Sequence, residues 1–274
     1  MATKEQDEKI KKEREKVTKR LETIKNRLLV FSGKGGVGKS TVAANLGLAF
    51  AKKGLKVGLL DVDIHGPNLA KMMGVETKKI QASSEAIIPV PVIKNLSLVS
   101  MSFLLQNQDL PVIWRGPMKM KAIQQFIGDV GWGELDWMII DSPPGTGDEP
   151  LSIAQLIPAT GAVVVTTPQE VSLMDSRKAV AFARKLNLEV YGIIENMSGL
   201  ICPNCKHKIN LFKEGGGEKA AKQMGVPFLG SIPIEPEIVS LGDEGISFLD
   251  KHPDSEASKA FTKIVDKIRE LKKS

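Results

Sequence analysis

Short apolar runs alternate along the chain with segments of helical character. Strands that are apolar throughout and are joined by helices are typical of a mostly parallel sheet covered on both faces. The pattern therefore predicts an α/β fold, a mostly parallel twisted sheet with helices on both faces, in which ligands bind beyond the carboxyl ends of the strands. The predicted strands are residues 28–31, 56–60, 96–101, 137–140, 162–166 and 190–194. The predicted helices are residues 40–52, 118–130, 173–186 and 218–224.

Three further segments complete this outline. Residues 77–92 contain Ile and Val without a clear helical period, and we predict a short hairpin insertion there. In residues 1–26, Ile10, Val17, Leu21 and Ile24 recur at roughly helical spacing among many charges, which predicts a charged, solvated N-terminal helix before a domain spanning 27–274. Near the C-terminus an apolar stripe faces several lysines, and it consists of Ala257, Ala260, Phe261, Ile264, Val265, Ile268 and Leu271.

Charge and composition exclude several function classes. The formal net charge of the 274 residues is +6, and residues 4–27 hold ten Lys/Arg and six Asp/Glu, so the rest is nearly neutral. A nearly neutral domain argues against a nucleic-acid partner, which would need a basic face. Apolar runs are far shorter than the ~18 residues of a membrane span, and the charged N-terminus lacks the apolar core of a secretory signal. We therefore expect no membrane partner and a cytoplasmic location.

A phosphate-binding motif follows the first predicted strand. Residues 33–40 are GKGGVGKS, which fits G-x-x-x-x-G-K-[ST] and leads directly into a predicted helix. Glycines let the backbone curl so that N–H groups point at phosphate oxygens, and the helix N-terminus adds a favourable dipole. Lys39 is expected to reach the β- and γ-phosphates of a nucleotide, and Ser40 to bind Mg²⁺. The predicted nucleotide-binding residues of this loop are Gly35, Gly36, Val37, Gly38, Lys39, Ser40 and Thr41.

Carboxylates end two of the predicted strands. Asp61 and Asp63 follow one apolar run, and Asp141 follows the run 137–140. Because the carboxyl ends of parallel strands meet at one edge of a sheet, we expect the three side chains to converge near the phosphate loop. An aspartate after four apolar residues is a Walker B pattern, so Asp61 and Asp141 are predicted magnesium ligands. Asp63 is the preferred candidate for orienting the attacking water, and a strand-end cap is an equal alternative for Asp61.

The two cysteines form a single C-x-x-C pair, Cys202 and Cys205. Both sulfurs can bind one centre, but a tetrahedral zinc or a cubane cluster needs four ligands. A two-fold dimer would supply four cysteines by bringing two pairs together at its axis. The pair alone leaves three alternatives open, which are a structural zinc, a redox dithiol and an iron-sulfur cluster.

Lys34 is a second lysine inside the phosphate loop, which makes the motif a deviant Walker A. This and other motifs closely resemble the Mrp-type branch of the MinD/nitrogenase-iron-protein class of P-loop ATPases, the Nbp/ApbC iron-sulfur cluster carriers. The resemblance covers nearly the whole chain from Arg27 onward. Its motifs are GKGGVGKST at 33–41, DVDIHGPN at 61–68, WRGPMK at 114–119, IIDSPPGTGDE at 139–149, TTPQE at 166–170, ENMS at 195–198 and CPNC at 202–205.

The resemblance implies a nucleotide-dependent homodimer that carries an iron-sulfur cluster. In such a dimer Lys34 reaches across to the partner's nucleotide, Asp63 orients the attacking water, and Asn196 recognises adenine. Cys202 and Cys205 would then hold a bridging 4Fe-4S cluster, with zinc as the alternative, and the dimer would deliver the cluster to apo iron-sulfur client proteins. Slow ATP hydrolysis would alter the geometry of the dimer.

Two other functions remain as alternatives. The first is a positioning ATPase like MinD or ParA with a structural zinc at the C-x-x-C pair, in which the C-terminal apolar stripe would contact a membrane. Such a stripe more often packs on a sheet, which is what we predict here. The second is an electron-transfer reductase like nitrogenase iron protein, whose cluster cysteines would be expected at two separated positions.

Overall fold

The computed structural model describes residues 15–64, 66–83, 86–104, 116–201, 205, 207–209, 211–212 and 214–272. Within them an eight-stranded sheet has the order β12-β9-β8-β1-β7-β2-β6-β5. Its strands are β1 (Ile24–Phe31), β2 (Val57–Asp61), β5 (Val90–Ile93), β6 (Leu96–Ser100), β7 (Leu135–Asp141), β8 (Gly161–Thr166), β9 (Val190–Glu195) and β12 (Phe228–Ser231). Two small antiparallel pairs lie outside it, β3 (Gln81–Ala82) with β4 (Ile87–Ile88) and β10 (Leu200–Ile201) with β11 (Lys208–Ile209).

The sheet is mostly parallel, as predicted. Its neighbouring strands run parallel except for β5, which pairs antiparallel with β6 at one edge. The predicted hairpin within residues 77–92 is confirmed by the β3–β4 pair. The connecting helices are α1 (Lys39–Lys52), α2 (Leu69–Met72), α3 (Gly116–Asp129), α4 (Asp148–Leu156), α5 (Glu170–Lys185), α6 (Gly216–Met224), α7 (Pro236–Asp243), α8 (Phe248–Lys251) and α9 (Glu256–Leu271), with a 3₁₀ turn at Met101–Leu104.

Helices cover both faces of the sheet because its strands are apolar on both sides. Side chains of β1 alternate between two cores, with Leu28 and Val30 in one and Leu29 and Phe31 in the other. The first core is completed by α1 and α9, and the second by α3, α4 and α5. The sheet is thereby buried on both faces, and the buried charged residues of its strands lie at their carboxyl ends.

The N-terminal segment corrects one prediction. Residues 15–21 are helical, but β1 begins at Ile24, so Ile24 is a strand residue and the predicted helix does not extend to residue 26. The helix is also not merely solvated, since Val17 and Leu21 are 1% exposed and pack in the core that contains Phe31. Ile10 lies outside the described residues.

The C-terminal helix α9 packs on the sheet, as predicted. Its buried apolar residues are Ala257, Phe261, Ile264, Val265 and Ile268, and all belong to the core that contains α1. The apolar stripe therefore covers the sheet instead of facing outward. In the described part of the chain, no helix is long and apolar enough to cross a bilayer.

Candidate nucleotide site and cysteine segment

The phosphate loop connects β1 to α1 and is shaped by its glycines. Gly36 and Gly38 have positive φ angles of 77° and 76°, which favour glycine, and Gly38 is the N-cap of α1. A Cβ at Gly33 would lie 2.2 Å from the carbonyl oxygen of Asp175, so only glycine fits against α5 there. Gly35 and Gly36 are exposed, with no atom within 4 Å of a Cβ built on either. The loop is thus held from one side and open on the other, as a phosphate cradle requires.

Lys39 brings the cation of the loop to two strand-end carboxylates. Its Nζ lies 2.5 Å from Asp141 Oδ1 and 3.9 Å from Asp63 Oδ2. Lys39, Asp63 and Asp141 are 6%, 7% and 0% exposed, so their attraction is poorly screened by water. The Nζ also lies 3.3 Å from Ser40 Oγ. The structure thus brings Asp63 and Asp141, two of the three aspartates expected to converge near the phosphate loop, to Lys39 of that loop.

Asp61 has a different environment at the same edge. It pairs in register with Asp141 on the adjacent strand and is completely buried. Its Oδ1 accepts a hydrogen bond from the Asp63 amide at 3.2 Å, and its Oδ2 accepts from the Leu69 amide at 3.2 Å and from Ser100 Oγ at 2.9 Å. Burial, with the nearby Asp141 charge, raises the pKa of Asp61 to about 8. Magnesium ligation by Asp61 stays a prediction, and these bonds favour its alternative role of fixing the chain after β2.

Both oxygens of Asp61 accept hydrogen bonds, whereas Asp141 has, in the described part of the chain, a carboxylate oxygen that is free to bind a ligand. Its Oδ2 is buried and has no hydrogen-bond partner among the described residues. A buried carboxylate oxygen without a partner calls for an explanation, such as a bound ion. Oxygen donors of this kind, together with the neighbouring Ser40 hydroxyl, have the chemistry that Mg²⁺ prefers. The residues at this edge therefore fit a magnesium ion.

Asn196 supports the phosphate loop directly from the end of β9. Its Nδ2 donates a hydrogen bond of 2.9 Å to the carbonyl oxygen of Val37. A Cβ at Gly38 would lie 2.3 Å from the same nitrogen, which shows how closely the amide approaches the loop. Asn196 is 7% exposed. Its contact with adenine stays a prediction, whereas its contact with the loop is part of the structure.

The loop after β7 is tied to the base of the phosphate loop. The Gly145 amide donates to the carbonyl oxygen of Ser32 at 2.9 Å, and Ser142 Oγ donates to that of Val30 at 3.0 Å. Ser32 Oγ in turn donates to the carbonyl oxygen of Lys34 at 2.8 Å. Lys34 is half-buried, and within the described part of the chain its ammonium forms no ion pair. Its action on a partner's nucleotide stays a prediction.

The cysteine segment lies between β10 and β11. These strands pair antiparallel, with Leu200 opposite Ile209, and Cys205 is an exposed free thiol in the connection between them. Ile209 and Leu211, which follow Cys205 in the sequence, are 39% and 54% exposed. Among the described residues, no three His, Cys, Asp or Glu side chains gather in a way that could hold a metal. Cys202, like residues 114–115 of the WRGPMK motif, lies outside the described residues.

Glu195 is a buried charged residue to which the sequence analysis gave no role. It is 0% exposed, and it ends β9 just as Asp61 ends β2 and Asp141 ends β7. Its carboxylate accepts hydrogen bonds from Ser198, Ser231, Gly215 and Gly217, which lie on three different segments. The sequence contains a signal for Glu195, because a charged residue directly after an apolar strand is the pattern that identified Asp61 and Asp141.

Known proteins resemble this chain over nearly all of its length. The family model of the ParA group described as NUBPL iron-transfer P-loop NTPase matches residues 23–269. An iron-sulfur cluster carrier protein of Saccharolobus solfataricus is 49% identical over 256 residues, 93% of this chain and 86% of the relative. A nucleotide-binding protein of Archaeoglobus fulgidus was solved in complex with ADP, and cobalt was found in it. It is 40% identical to this chain, the TM-score is 0.76, and the match covers 85% of this chain and 91% of that protein's chain. The cell division ATPase MinD of Pyrococcus furiosus is 25% identical with a TM-score of 0.65, covering 90% and 99%.

Proposed function

Because the chain belongs to the NUBPL iron-transfer P-loop NTPase family, we propose that it is an ATP-dependent carrier that delivers an iron-sulfur cluster to apo-proteins. Its family and its P-loop NTPase fold agree with the resemblance seen in its motifs. The observation that carries the proposal is an exposed free thiol, Cys205, on a hairpin that follows directly from the strand end supporting the phosphate loop. Under this proposal, cargo and nucleotide chemistry would lie in one domain.

The nucleotide chemistry is assigned to the residues at the strand ends. The exposed backbone of Gly35 and Gly36 would bind phosphate oxygens, and Lys39 would exchange its contact with Asp141 for the β- and γ-phosphates. Mg²⁺ held by Ser40 and Asp141 would supply charge neutralisation on those phosphates. Asp63 lies beside the ammonium of Lys39 and would orient the attacking water and accept its proton. Turnover would be slow, and Lys34 would complete the site from a second copy of the chain.

The cargo chemistry needs a second copy as well. Each chain has two cysteines, so four thiolates, the set that a 4Fe-4S cluster requires, are available only from a pair of chains. Ile209 and Leu211, which follow Cys205 in the sequence, expose apolar surface that a two-fold partner would cover. We therefore propose a homodimer with one cluster shared between Cys202 and Cys205 of both chains. Zinc at the same thiolates is the alternative.

The positioning ATPase is the less favoured alternative. The identity to the carrier protein of Saccharolobus solfataricus is 49%, compared with 25% to MinD of Pyrococcus furiosus. The apolar face of α9, which would have to contact a membrane in this alternative, is buried in the core. A cysteine pair also has no role in positioning.

A transfer assay tests the carrier function. Full-length protein is loaded anaerobically with iron and sulfide and mixed with an apo-acceptor that becomes active only with a 4Fe-4S cluster. We expect acceptor activation by the parent protein and none by Cys205→Ser, while both bind ATP equally. Ser240→Ala, on the exposed surface of α7, is the matched control and should transfer normally. Activation by Cys205→Ser at the parental rate would refute the assignment of the cargo site.

A further inference from the structure

We propose that Glu195 is a positioning residue that couples the phosphate loop to the cysteine segment. This inference rests on the proposed function, because it assigns a route by which nucleotide at one site can act on cargo at the other. The route consists of two adjacent residues at the carboxyl end of β9. Glu195 holds the cysteine segment, and Asn196 holds the phosphate loop.

The carboxylate of Glu195 is fully buried and fully engaged. Its Oε1 accepts hydrogen bonds from Ser198 Oγ at 2.6 Å, from Ser231 Oγ at 3.2 Å and from the Gly215 amide at 3.3 Å. Its Oε2 accepts from the Gly217 amide at 2.6 Å. Charge-assisted hydrogen bonds are the strong ones, and a buried carboxylate needs several to offset its desolvation. The four donors therefore form one tightly connected unit with Glu195.

Three of the four donors flank the cysteine segment and its two short strands. Ser198 precedes β10, and Gly215 and Gly217 follow β11 at the start of α6. Gly217 approaches so closely that a Cβ there would lie 2.9 Å from the Cβ of Glu195. Both ends of the segment that contains Cys205 are thus fixed to the same carboxylate. A displacement of Glu195 would move the two ends together.

The next residue carries the other half of the route. Asn196 Nδ2 donates to the carbonyl oxygen of Val37 in the phosphate loop, and its own amide donates to that of Thr166 on β8. Glu195 and Asn196 share one planar peptide, so their Cα atoms stay about 3.8 Å apart. A shift of the phosphate loop at Val37 would therefore reach Glu195 through the Asn196 side chain and the peptide that the two residues share. Coupling of this kind acts equally in both directions.

Glu195→Gln changes this unit with almost no change in size. An amide offers one acceptor oxygen and a donor NH₂ group, so it cannot accept from hydroxyls and amides on both sides as the carboxylate does. At least one of Gly217 and Ser198 then loses its acceptor. The link to the cysteine segment is weakened, while the contact of Asn196 with the phosphate loop stays in place.

Hydrogen exchange of the protein without cargo tests the coupling. In the parent protein, a non-hydrolysable ATP analogue with Mg²⁺ should slow amide exchange in residues 207–217 by about fivefold or more, the lower end of typical coupling. In Glu195→Gln the analogue should still bind with similar affinity, but exchange in residues 207–217 should respond less than in the parent. Asp136→Asn is the matched control, since Asp136 is a hydrogen-bonded carboxylate in β7 away from this route, and it should behave like the parent.

Two results would overturn the proposal. One is an unchanged exchange rate in residues 207–217 of the parent protein when the analogue binds. The other is an equal response in the parent and in Glu195→Gln. Should Glu195→Gln not fold, Ser198→Ala removes one 2.6 Å hydrogen bond to the same carboxylate and should reduce the response. Iron uptake is measured separately, so a failure of the carrier function is distinguished from a failure of this coupling.

Discussion

Lys39→Met should destabilise the protein by an amount that reflects its buried ion pair. The ammonium of Lys39 lies 2.5 Å from Asp141, and the two side chains are 6% and 0% exposed. Removing one partner of a buried pair leaves an uncompensated charge and typically costs about 3–5 kcal/mol. The second oxygen of Asp141 has no hydrogen-bond partner among the described residues, so no neighbour described here replaces the lost ammonium. We therefore expect a loss of about 3–5 kcal/mol in the free energy of unfolding.

A double-mutant cycle separates the pair from other effects of the substitution. Lys39→Met combined with Asp141→Asn removes both charges and should recover most of the lost stability. Neither Lys39→Met nor the double variant should bind ATP productively. Unfolding by urea without nucleotide, followed by circular dichroism, gives the four free energies. Lys25→Met is the control, because Lys25 pairs with Asp136 on the surface and its loss should leave the midpoint unchanged. A coupling energy below about 0.5 kcal/mol would refute the reasoning, since independent sites are additive to that level.

Three further predictions concern hydrolysis and packing. Asp63→Asn should bind ATP normally and hydrolyse it about 10²–10⁴ times more slowly, as expected for a lost general base; a parental rate in a phosphate-release assay would remove Asp63 from that role. Lys34→Ala should lose hydrolysis but keep nucleotide affinity. Mixing it with Asp63→Asn should restore one functional site per heterodimer, whereas no recovery at any ratio would mean that Lys34 acts on the nucleotide bound to its own chain. Ile264→Ala should cost about 2–5 kcal/mol in urea unfolding, whereas Val239→Ala, at a 66% exposed position, should change little; equal effects would contradict the packing of α9 on the sheet.

The sheet could be predicted from the sequence because its strands are local apolar runs. The strand boundaries that depend on pairing with a neighbouring strand could not be predicted in the same way. Val17, Leu21 and Ile24 follow helical spacing, yet Ile24 joins β1 because β7 pairs with it through Leu135. Likewise, β5 belongs to the sheet edge through its antiparallel pairing with β6, which no local pattern of its own indicates.

The residues of the candidate site could be predicted from the sequence, but the role of each residue could not. Parallel strands bring Asp63 and Asp141 to one edge, and the motif places Lys39 there too. That Asp61 is engaged by Ser100 and Leu69 depends on donors supplied by other segments, which the sequence pattern of β2 does not contain. Glu195 shows the same limit, because its four donors come together only in the folded chain.

The iron and sulfide content of the full-length protein after anaerobic reconstitution tests the central claim most directly. A 4Fe-4S cluster shared by two chains predicts about two irons and two sulfides per chain. Cys202→Ser and Cys205→Ser should each lose both elements and still bind ATP, because the phosphate site uses other residues. Firmly bound zinc, no iron uptake and undiminished function in the two cysteine variants would contradict the carrier function and favour the positioning ATPase.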